Sequence, residues 1–514
     1  MFLPAPVSSR LWRRSALALA VCCTLLSPAP VVVQAAPLAL PSMGDGAEIT
    51  TSEERRLGDR IIRQLYRDPD YLDDPQLQAY VHSIWQPLVQ AAQARGDLSP
   101  ELQERFAWQI LLGRDKSINA FALPGGYLGV HLGLLATVTS SDELATVMAH
   151  ELTHVTQRHI ARMMGEEKRS TPLLIAGMIL GALAASKSPD AANALIVGGQ
   201  AAAIQNQLGF SRDMEREADR IGYSLLAPAG FAPQGAVSMF EKLQHASRLN
   251  DNGSWPYLRS HPLTSERMAD MQARAPQGQP PQPTLEHALM AARARVLTRP
   301  GPDVLRQWST WPEQPGFAQR SPHEQAAQRY AAVLALLQLR QMDAAQAQWQ
   351  LLHAALQAQG DTAALQQVRW LGMEVALAAQ RPQAALATLQ AEGWHSRVPR
   401  PQLLLGAQLL LAGGQAAQVS EVLQTWVSEA PHDAAAWRLL AQAWQAQGLP
   451  LRAIRAEAEA HMAHYDYAAA ADRFKAGQDL ARRSHSAQDH MDASIIDTRL
   501  RVAEALLREQ AREP

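Results

Sequence analysis

The stretch VMAHELTHVTQRH, residues 147–159, contains two histidines four positions apart, with a glutamate directly after the first. On an α-helix such positions lie about 40° apart around the axis and about 6 Å apart along it, so His150 and His154 project side by side. One metal ion can contact both imidazoles, and Glu151 then lies beside the metal as a base. The spacing therefore favours a hydrolytic metal site over the alternative, an ordinary polar face of a helix.

These three residues need a helix to hold them, and the surrounding sequence predicts one. Ser140 and Glu143 have the spacing of a capping box, and Gly165 is a stop signal. Apolar residues recur between these signals at helical spacing, namely Leu144, Val147, Met148, Leu152 and Val155. We therefore expect a helix that begins at Ser140 and stops at Gly165.

A catalytic zinc needs a third protein ligand and an open position for water, so two histidines are not sufficient. Segment 210–226, FSRDMEREADRIGYSLL, supplies Glu215 on a second predicted helix, with Ala218 and Asp219 on the same face. Small Ala218 lets this helix approach the first closely, and Asp219 can then hold a ligating histidine by its other ring nitrogen. Glu217 is the rival carboxylate, although it lies about 200° around the helix from Glu215.

The combined pattern resembles a known family. HELTH, followed about sixty residues later by EREAD at 215–219, is similar to the glutamate-ligated zinc metallopeptidases of the HtpX and CaaX prenyl protease family. NAFALPGGYLGVHLGLL (119–135) resembles the family's segment before the zinc helix, and SHPLTSERMADM (260–271) resembles its late histidine-proline motif. The resemblance covers roughly residues 48–271, and the secreted, repeat-bearing arrangement is similar to the soluble periplasmic branch, the beta-barrel assembly-enhancing proteases.

This resemblance implies a zinc endopeptidase with one Zn²⁺ per chain. The implied ligands are His150, His154 and Glu215, and the implied general base is Glu151, which takes a proton from water as that water attacks a peptide carbonyl. Asp219 then has a supporting role behind a ligand.

Two residues of the late motif, His261 and Arg267, are further candidates for the site. The transition state of peptide hydrolysis carries an oxyanion that needs a donor besides the metal, and we expect one of these side chains to supply it. A second role is open to His261, because as a fourth ligand it would displace water and close the site until its loop moved. The sequence does not separate these two roles.

The segment before the zinc helix indicates how a substrate docks. WQILLGRD and NAFAL alternate like short strands, and the turn at Pro124-Gly125-Gly126 leads into YLGVH. An exposed strand edge beside the zinc helix can bind an extended chain through backbone hydrogen bonds, with little sequence selectivity. Asn119 and Phe121 are candidate contributors, and we expect unfolded chains as substrates.

The N-terminal 35 residues indicate a secreted protein. They contain Arg10, Arg13 and Arg14, then the apolar run 15–26, and no acidic residue, which is the pattern of a signal peptide cleaved after Ala35. Both cysteines, Cys22 and Cys23, lie inside this segment, so the mature chain needs no disulfide. Lipid attachment at Cys22 is less favoured because bulky Val21 precedes it. The mature chain would have 44 basic and 49 acidic residues, a net charge of −5, so no nucleic-acid partner is indicated.

The second half of the chain predicts stacked helices. Gln380, Gly414 and Gly448 stand 34 residues apart in turn positions, and Ala385, Val419 and Ala453 follow at one offset. One unit has the spacings of a tetratricopeptide repeat, with Trp437, Leu440, Ala441, Trp444, Gly448, Ala453 and Ala460. A plain helical bundle is the alternative. Stacked repeats would form a concave surface that holds another polypeptide.

We therefore predict a mainly α protein. A signal peptide (1–35) precedes a helical zincin-type metallopeptidase domain with a small β-sheet (36–275), a linker (276–284) and an α-solenoid of tetratricopeptide-like repeats (285–514). The boundary is placed at QARAPQGQPPQP, which interrupts every periodic pattern. Two apolar segments that are rich in small residues, 172–185 and 192–203, predict a helical hairpin. This hairpin either packs in the core or makes peripheral contact with a membrane or partner.

The sequence features favour a periplasmic zinc endopeptidase, and the family resemblance implies a chaperone-like role in quality control of β-barrel assembly. The partners that the resemblance implies are unfolded or misassembled outer-membrane proteins and, through the repeats, the outer-membrane β-barrel assembly machinery. The alternative is a repeat-based chaperone or adaptor whose peptidase site is mostly closed. An integral membrane protease is disfavoured because the mature sequence has no apolar stretch of about 20 residues.

Overall fold

The structure is a computed structural model that describes residues 49–166, 210–248, 255–274, 283–483 and 487–512. Helices and strands are numbered below in the order of these residues. The predicted signal peptide with its two cysteines and the predicted apolar hairpin lie outside the described residues. Among the residues that are described, no helix has the length and apolarity needed to cross a membrane.

The first part of the described chain consists of helices and one small sheet. Its helices are α1 Thr51–Arg67, α2 Pro75–Arg95, α3 Pro100–Arg105, α4 Leu132–Thr137, α5 Ser141–Thr156, α6 His159–Glu166, α7 Arg212–Leu226, α8 Gln234–Arg248, α9 Tyr257–Ser260 and α10 Ser265–Arg274. Its strands are β1 Tyr71–Leu72, β2 Gln109–Gly113, β3 Ala120–Leu123 and β4 Tyr127–His131.

The sheet has the order β1-β2-β4-β3. The β3–β4 hairpin is antiparallel, β2 and β4 run parallel, and β1 adds an antiparallel edge. Strands β2, β3 and β4 are those that the sequence predicts, while the two-residue β1 was not predicted. Because β3 forms the other edge and packs against α5, the predicted strand edge beside the zinc helix is confirmed.

The zinc helix α5 begins as predicted, since the Ser140 side chain accepts a hydrogen bond from the backbone N–H of Glu143. The Glu143 carboxylate completes no capping box and bonds Thr139 instead. The predicted stop at Gly165 is wrong. Helix α5 ends at Thr156, because Arg158 adopts a left-handed backbone conformation with φ of 52°, and Gly165 lies inside the separate helix α6.

Helix α7 packs closely across α5, as the small residues predicted. Ala218 is fully buried between them. One turn later, a Cβ added at Gly222 would lie 3.0 Å from the carbonyl carbon of Ala149, which is tighter than an ordinary contact. The two helices can therefore bring their side chains onto one point between them.

The second part of the described chain is helical throughout, which confirms the predicted mainly α fold class, a helical first region with a small sheet followed by a helical region. Its α-helices are α11 Leu285–Leu297, α12 Pro302–Ser309, α13 Pro322–Gln338, α14 Met342–Gln359, α15 Thr362–Ala378, α16 Gln383–Glu392, α17 Arg400–Ala412, α18 Ala416–Glu429, α19 Ala434–Ala446, α20 Pro450–Ala463, α21 Tyr467–Ala481 and α22 Ala487–Arg512. Short 3₁₀ turns at Trp311–Glu313 and Phe317–Gln319 connect α12 to α13.

The three predicted turn positions have one conformation. Gln380, Gly414 and Gly448 are all left-handed, with φ of 55°, 76° and 71°. In each, the backbone N–H of the turn residue donates to the carbonyl three residues earlier, and the next N–H donates to the carbonyl five residues before it. The 34-residue recurrence of turns is therefore confirmed, while the assignment of these helix pairs as tetratricopeptide repeats stays a prediction.

The two parts share one hydrophobic core, which extends from Leu72 to Val375. Helix α11 lies at their junction and packs against α4, α13 and α15. Its buried Arg293 donates to both carboxylate oxygens of Asp74, at 2.8 and 2.6 Å, and to Glu374 at 3.0 and 2.6 Å. The domain boundary at 276–284 stays a prediction.

A second contact joins the turn between α20 and α21 to the peptidase part. The ring of His464 stacks on Tyr66 of α1 with centroids 4.4 Å apart. The hydroxyl of Tyr465 lies 3.1 Å from that of Tyr127 in β4. The helical array therefore contacts the peptidase part near both of its ends.

Candidate metal centre

Helices α5 and α7 bring the three predicted ligands together. The Nε2 atoms of His150 and His154 lie 3.0 Å apart. The two carboxylate oxygens of Glu215 lie 3.5 Å from these nitrogens, one facing each imidazole. All three side chains are buried, so the convergence is held by the packing of the helices rather than by solvent-exposed side chains.

This donor set fits a zinc ion. Zinc in proteins takes nitrogen and oxygen ligands at about 2.0–2.2 Å in a tetrahedral arrangement, so ligand atoms stand about 3.3 Å from one another. The observed separations of 3.0 and 3.5 Å lie on either side of that value. Two imidazoles and one carboxylate are also a ligand combination of catalytic zinc sites, which keep a fourth position for water.

The loop after α9 places His261 among the same atoms. Its Nδ1 lies 2.9 Å from Glu215 Oε1 and 3.2 Å from His150 Nε2, and one ligand atom from each of the four side chains lies within 4.8 Å of the others. The ring stacks on Tyr257 with centroids 4.6 Å apart. Proximity to the ligands is therefore observed, while the roles of oxyanion donor and fourth ligand both stay predictions.

Glu151 lies beside the ligands with its two oxygens in different environments. Oε2 accepts a hydrogen bond of 2.9 Å from the backbone N–H of Ala122 in edge strand β3. Oε1 is buried, has no hydrogen-bond partner among the described residues, and lies 3.4 Å from His261 Nε2. Such a carboxylate oxygen can accept a proton from a water molecule at the metal position.

Comparison with known proteins identifies the family of this chain. The family model described as Peptidase family M48 matches residues 75–275. A beta-barrel assembly-enhancing protease of Escherichia coli (strain K12) is 32% identical over 413 residues, which are 79% of this chain and 80% of the relative. The chain belongs to peptidase family M48. It is therefore a zinc-dependent metallopeptidase.

Two further relatives of this M48 peptidase cover different shares of the chain. A beta-barrel assembly-enhancing protease of Yersinia pestis is 32% identical over 82% of this chain and 83% of its own length. The mitochondrial metalloendopeptidase OMA1 of Arabidopsis thaliana is 35% identical over 32% of this chain and 31% of its own length.

The electrostatics of the M48 site favour a bound cation. Burial raises the pKa of Glu215, but His261 and His150 outweigh burial and hold that pKa well below its ordinary value. Burial and the neighbouring imidazoles lower the pKa of His154 well below 6.5, so it is neutral. Burial lowers the pKa of His150, but Glu215 and Asp219 raise it to about 10, because their carboxylates stabilise positive charge at this ring.

Burial is also the main reason that the pKa of Glu151 is raised above its ordinary value. A general base works best when its pKa approaches the working pH, because it must be ionised at first and still bind the proton afterwards. The position and the direction of the pKa shift both suit the predicted role of Glu151, which stays a prediction.

Asp219 and Arg267 lie behind the ligands. Asp219 Oδ1 is 3.0 Å from His150 Nδ1, on the ring edge that faces away from Glu215. Arg267 of α10 donates to both Asp219 oxygens at 2.6 and 2.8 Å, to the Pro262 carbonyl at 2.9 Å, and pairs with Glu215 Oε2 at 2.6 Å. These contacts occupy the buried guanidinium, so Arg267 holds two site carboxylates, and its predicted role as an oxyanion donor stays a prediction.

The rival carboxylate Glu217 is directed away from the ligands, as its helical position predicted. Its Oε2 lies 3.1 Å from His159 Nε2 and accepts a hydrogen bond of 2.9 Å from Arg162. His159 lies behind His154, with its Nδ1 2.9 Å from Nδ1 of His154. Sequence spacing could not indicate this contact, because the left-handed turn at Arg158 creates it.

Proposed function

We propose that this M48 metallopeptidase is a zinc endopeptidase that cleaves unfolded or misassembled outer-membrane β-barrel proteins and assists β-barrel assembly. The observation that carries the catalytic part is the convergence of His150, His154 and Glu215 beside the unbonded oxygen of Glu151. The assembly part rests on the relatives from Yersinia pestis and Escherichia coli, whose names state that role and whose lengths are covered to 80% or more.

The chain's own residues divide the chemistry between them. His150, His154 and Glu215 would hold zinc, which supplies a Lewis acid that polarises a peptide carbonyl and activates water. Glu151 accepts the proton of that water and delivers it to the departing amine. His261, at 3.4 Å from Glu151 Oε1, is placed to contact the oxyanion if its loop moves with the substrate.

Edge strand β3 is the docking element for an extended substrate. Among the residues that the structure describes, it is paired on one side only, to β4, and it packs against α5, so this edge runs beside the site. An added strand would use main-chain hydrogen bonds, which accept any sequence in an extended conformation. A substrate docked there must compete with Glu151 for the N–H of Ala122, which couples docking to release of the base.

The helical second part provides a separate surface for clients or for the assembly machinery. A groove of about 540 Å³ lies among α14, α15 and α16, and Trp349, Trp370, Arg369, Arg381 and Glu392 are among its lining residues. The Nε1 atom of Trp370 is buried without a hydrogen-bond partner in the described chain. Aromatic and arginine side chains are the residue types that most often anchor a polypeptide.

The periplasm is the proposed location. This proposal rests on the predicted signal peptide and on the cysteine-free mature sequence. Peripheral contact with a membrane through the segment at 172–203 is proposed on its composition alone.

A chaperone or adaptor with a mostly closed peptidase site is the second candidate. It is favoured by one observation, the position of His261 among the ligand atoms, with every member of the cluster buried. A side chain in that position competes with water for the fourth metal position.

Cleavage of a denatured outer-membrane β-barrel protein by the zinc-loaded mature chain separates the two candidates. We expect Glu151→Gln to lower the cleavage rate by about 100-fold or more, because general base catalysis contributes about that much. Glu459→Gln is the matched control, since Glu459 is a buried glutamate that pairs with Arg499 in the repeat half, and it should retain the wild-type rate. Equal cleavage by wild type and Glu151→Gln would refute the catalytic role, and rescue of assembly by both without cleavage would favour the chaperone.

The role of the groove needs a different readout. Charge reversal at Arg369 and Arg381, which keep exposed side chains in the groove, should weaken capture of the purified β-barrel assembly machinery or of a denatured client. Cleavage of a short peptide should be unaffected. Reversal at exposed Arg306, outside the groove, is the control. Unchanged capture by the groove variants would remove this surface from the proposal.

A further inference from the structure

The zinc-facing histidines are supported from behind in two different ways. On His150, the carboxylate of Asp219 contacts Nδ1 directly at 3.0 Å. On His154, the corresponding nitrogen contacts a third imidazole, since its Nδ1 lies 2.9 Å from Nδ1 of His159. The other nitrogen of His159 then lies 3.1 Å from Glu217. A carboxylate of helix α7 therefore ends both lines of contact.

The protons of this second line have one consistent arrangement. A histidine that offers Nε2 to a metal carries its ring proton on Nδ1, so His154 is a donor towards His159. His159 must then accept at Nδ1, which places its own proton on Nε2, where it is donated to the Glu217 carboxylate. Arg162 donates to the same carboxylate oxygen and keeps Glu217 ionised and in place. In this arrangement every donor faces an acceptor.

The backbone is shaped to make this contact. In a continuous helix, a residue five positions after His154 would lie about 140° around the axis and could not face it. The left-handed residue Arg158, with φ of 52°, ends α5 and turns the chain so that the His159 ring lies 4.8 Å from that of His154. Arg158 is held in this conformation by Glu54 at 2.9 Å and by the carbonyl of Ile49. A conformation that is unfavourable for residues with a side chain is thus retained at the point where it places His159.

We propose that His159 is a positioning residue of the metal site, which fixes the tautomer and ring orientation of His154 and transmits the charge of Glu217 to it. His159 contacts neither the metal position nor the substrate edge, and it acts through His154 alone. Removal of a residue that hydrogen-bonds to a metal-ligating histidine typically lowers metal affinity by about 10- to 100-fold. The inference concerns the zinc site itself and holds whichever client the enzyme cleaves.

The test measures metal binding rather than activity. In His159→Phe, which keeps the ring and removes both nitrogens, we expect zinc affinity in chelator competition to fall by about 10- to 100-fold. The visible absorption spectrum of the Co²⁺-substituted protein should change as well. His159→Asn retains an acceptor near the position of Nδ1, so it should recover most of the affinity. Glu217→Gln keeps an acceptor but removes the charge, so it should cause a smaller loss.

The matched control is His287→Phe. His287 is equally buried and has both ring nitrogens engaged, by the hydroxyl of Tyr80 at 2.6 Å and the carbonyl of Val138 at 2.9 Å, but it lies outside the metal centre. This variant should lose folding stability and keep the wild-type zinc affinity and Co²⁺ spectrum. Two results would overturn the proposal. One is a His159→Phe protein with unchanged affinity and spectrum, and the other is equal loss in the Phe and Asn variants. Should His159→Phe not fold, Glu217→Gln and His159→Asn decide. Wild-type zinc affinity and Co²⁺ spectra in Glu217→Gln would exclude transmission of the Glu217 charge to His154.

Discussion

Removal of the Arg293 guanidinium should destabilise the junction between the helical second part of the chain and the first part. Arg293→Met keeps a long apolar side chain in the core but leaves the carboxylates of Asp74 and Glu374 without their shared cation. Loss of one partner from a buried ion pair costs about 3–5 kcal/mol, because the remaining charge stays buried and uncompensated. Since the Glu374 side chain keeps 20% of its surface exposed, we expect the lower half of this range, about 3–4 kcal/mol.

The pH dependence of this loss has a definite sign. Burial raises the pKa of Glu374, while Arg293 lowers it, so removal of the arginine should raise that pKa further. A carboxyl group with a higher pKa in the folded state binds more protons there than in the unfolded state, so folding weakens as pH rises above about 4.5. The destabilisation in Arg293→Met should therefore be smaller at pH 5 than at pH 8.

Urea unfolding followed by circular dichroism at both pH values measures these differences. Arg381→Met is the matched control, because its ion pair with Asp343 is mostly exposed and should contribute less than about 1 kcal/mol. Addition of Asp74→Asn and Glu374→Gln to Arg293→Met should restore most of the stability, since no buried charge then remains. Similar losses in Arg293→Met and Arg381→Met, or a loss that does not change with pH, would refute the reasoning.

Three other predictions concern the helix crossing, the junction and the metal. Gly222→Val should push α7 away from α5 and weaken zinc binding in chelator competition. Gly301→Val, at an exposed glycine with open space around it, should not. Unchanged affinity in Gly222→Val would show that the crossing tolerates a side chain. Burial, with Arg438 nearby, lowers the pKa of His464 to about 4. Between pH of about 6.5 and 4 the unfolded state therefore binds more protons than the folded state, and the contact of His464 with Tyr66 should weaken as pH falls through this range. The midpoint of urea unfolding should fall over that pH range in wild type but much less in His464→Gln. Removal of zinc by a chelator should lower the free energy of unfolding. The loss should be about 2.7 kcal/mol when the reference sample contains free zinc at 100 times the dissociation constant. The stability of Glu215→Gln should change far less when zinc is removed.

The sequence was sufficient for the parts of the site that depend on local spacing. His150, Glu151 and His154 follow from positions on one helix, and Asp219 follows from its place four residues after Glu215. Glu215 was only a candidate from its helix, because a ligand on another helix has no fixed spacing from the first two, and the family resemblance implied that it is the third ligand. His261 came from the late motif in the same way, and the structure places it beside the others.

The features that were missed depend on contacts between distant elements or on unmarked turns. The left-handed turn at Arg158 has neither glycine nor proline, so the end of α5 was placed at Gly165, and the contact between His154 and His159 could not be foreseen. Strand β1 has two residues, too few for any periodicity. Arg293 lies 219 residues from Asp74 in sequence, and only the packing of α11 between the two halves brings them together.

The attachment of the helical array at several places along its length limits how the enzyme can reach a client. A flexible tether would let a captured chain meet the zinc at many points along its length, with a local concentration set by the tether alone. Here α11 and the turn at His464 fasten the array at both ends, so the groove stands at one distance from strand β3. The fold therefore fixes the distance between the groove and the active site, and we expect a client bound in the groove to be cut within a narrow span of residues from the bound segment.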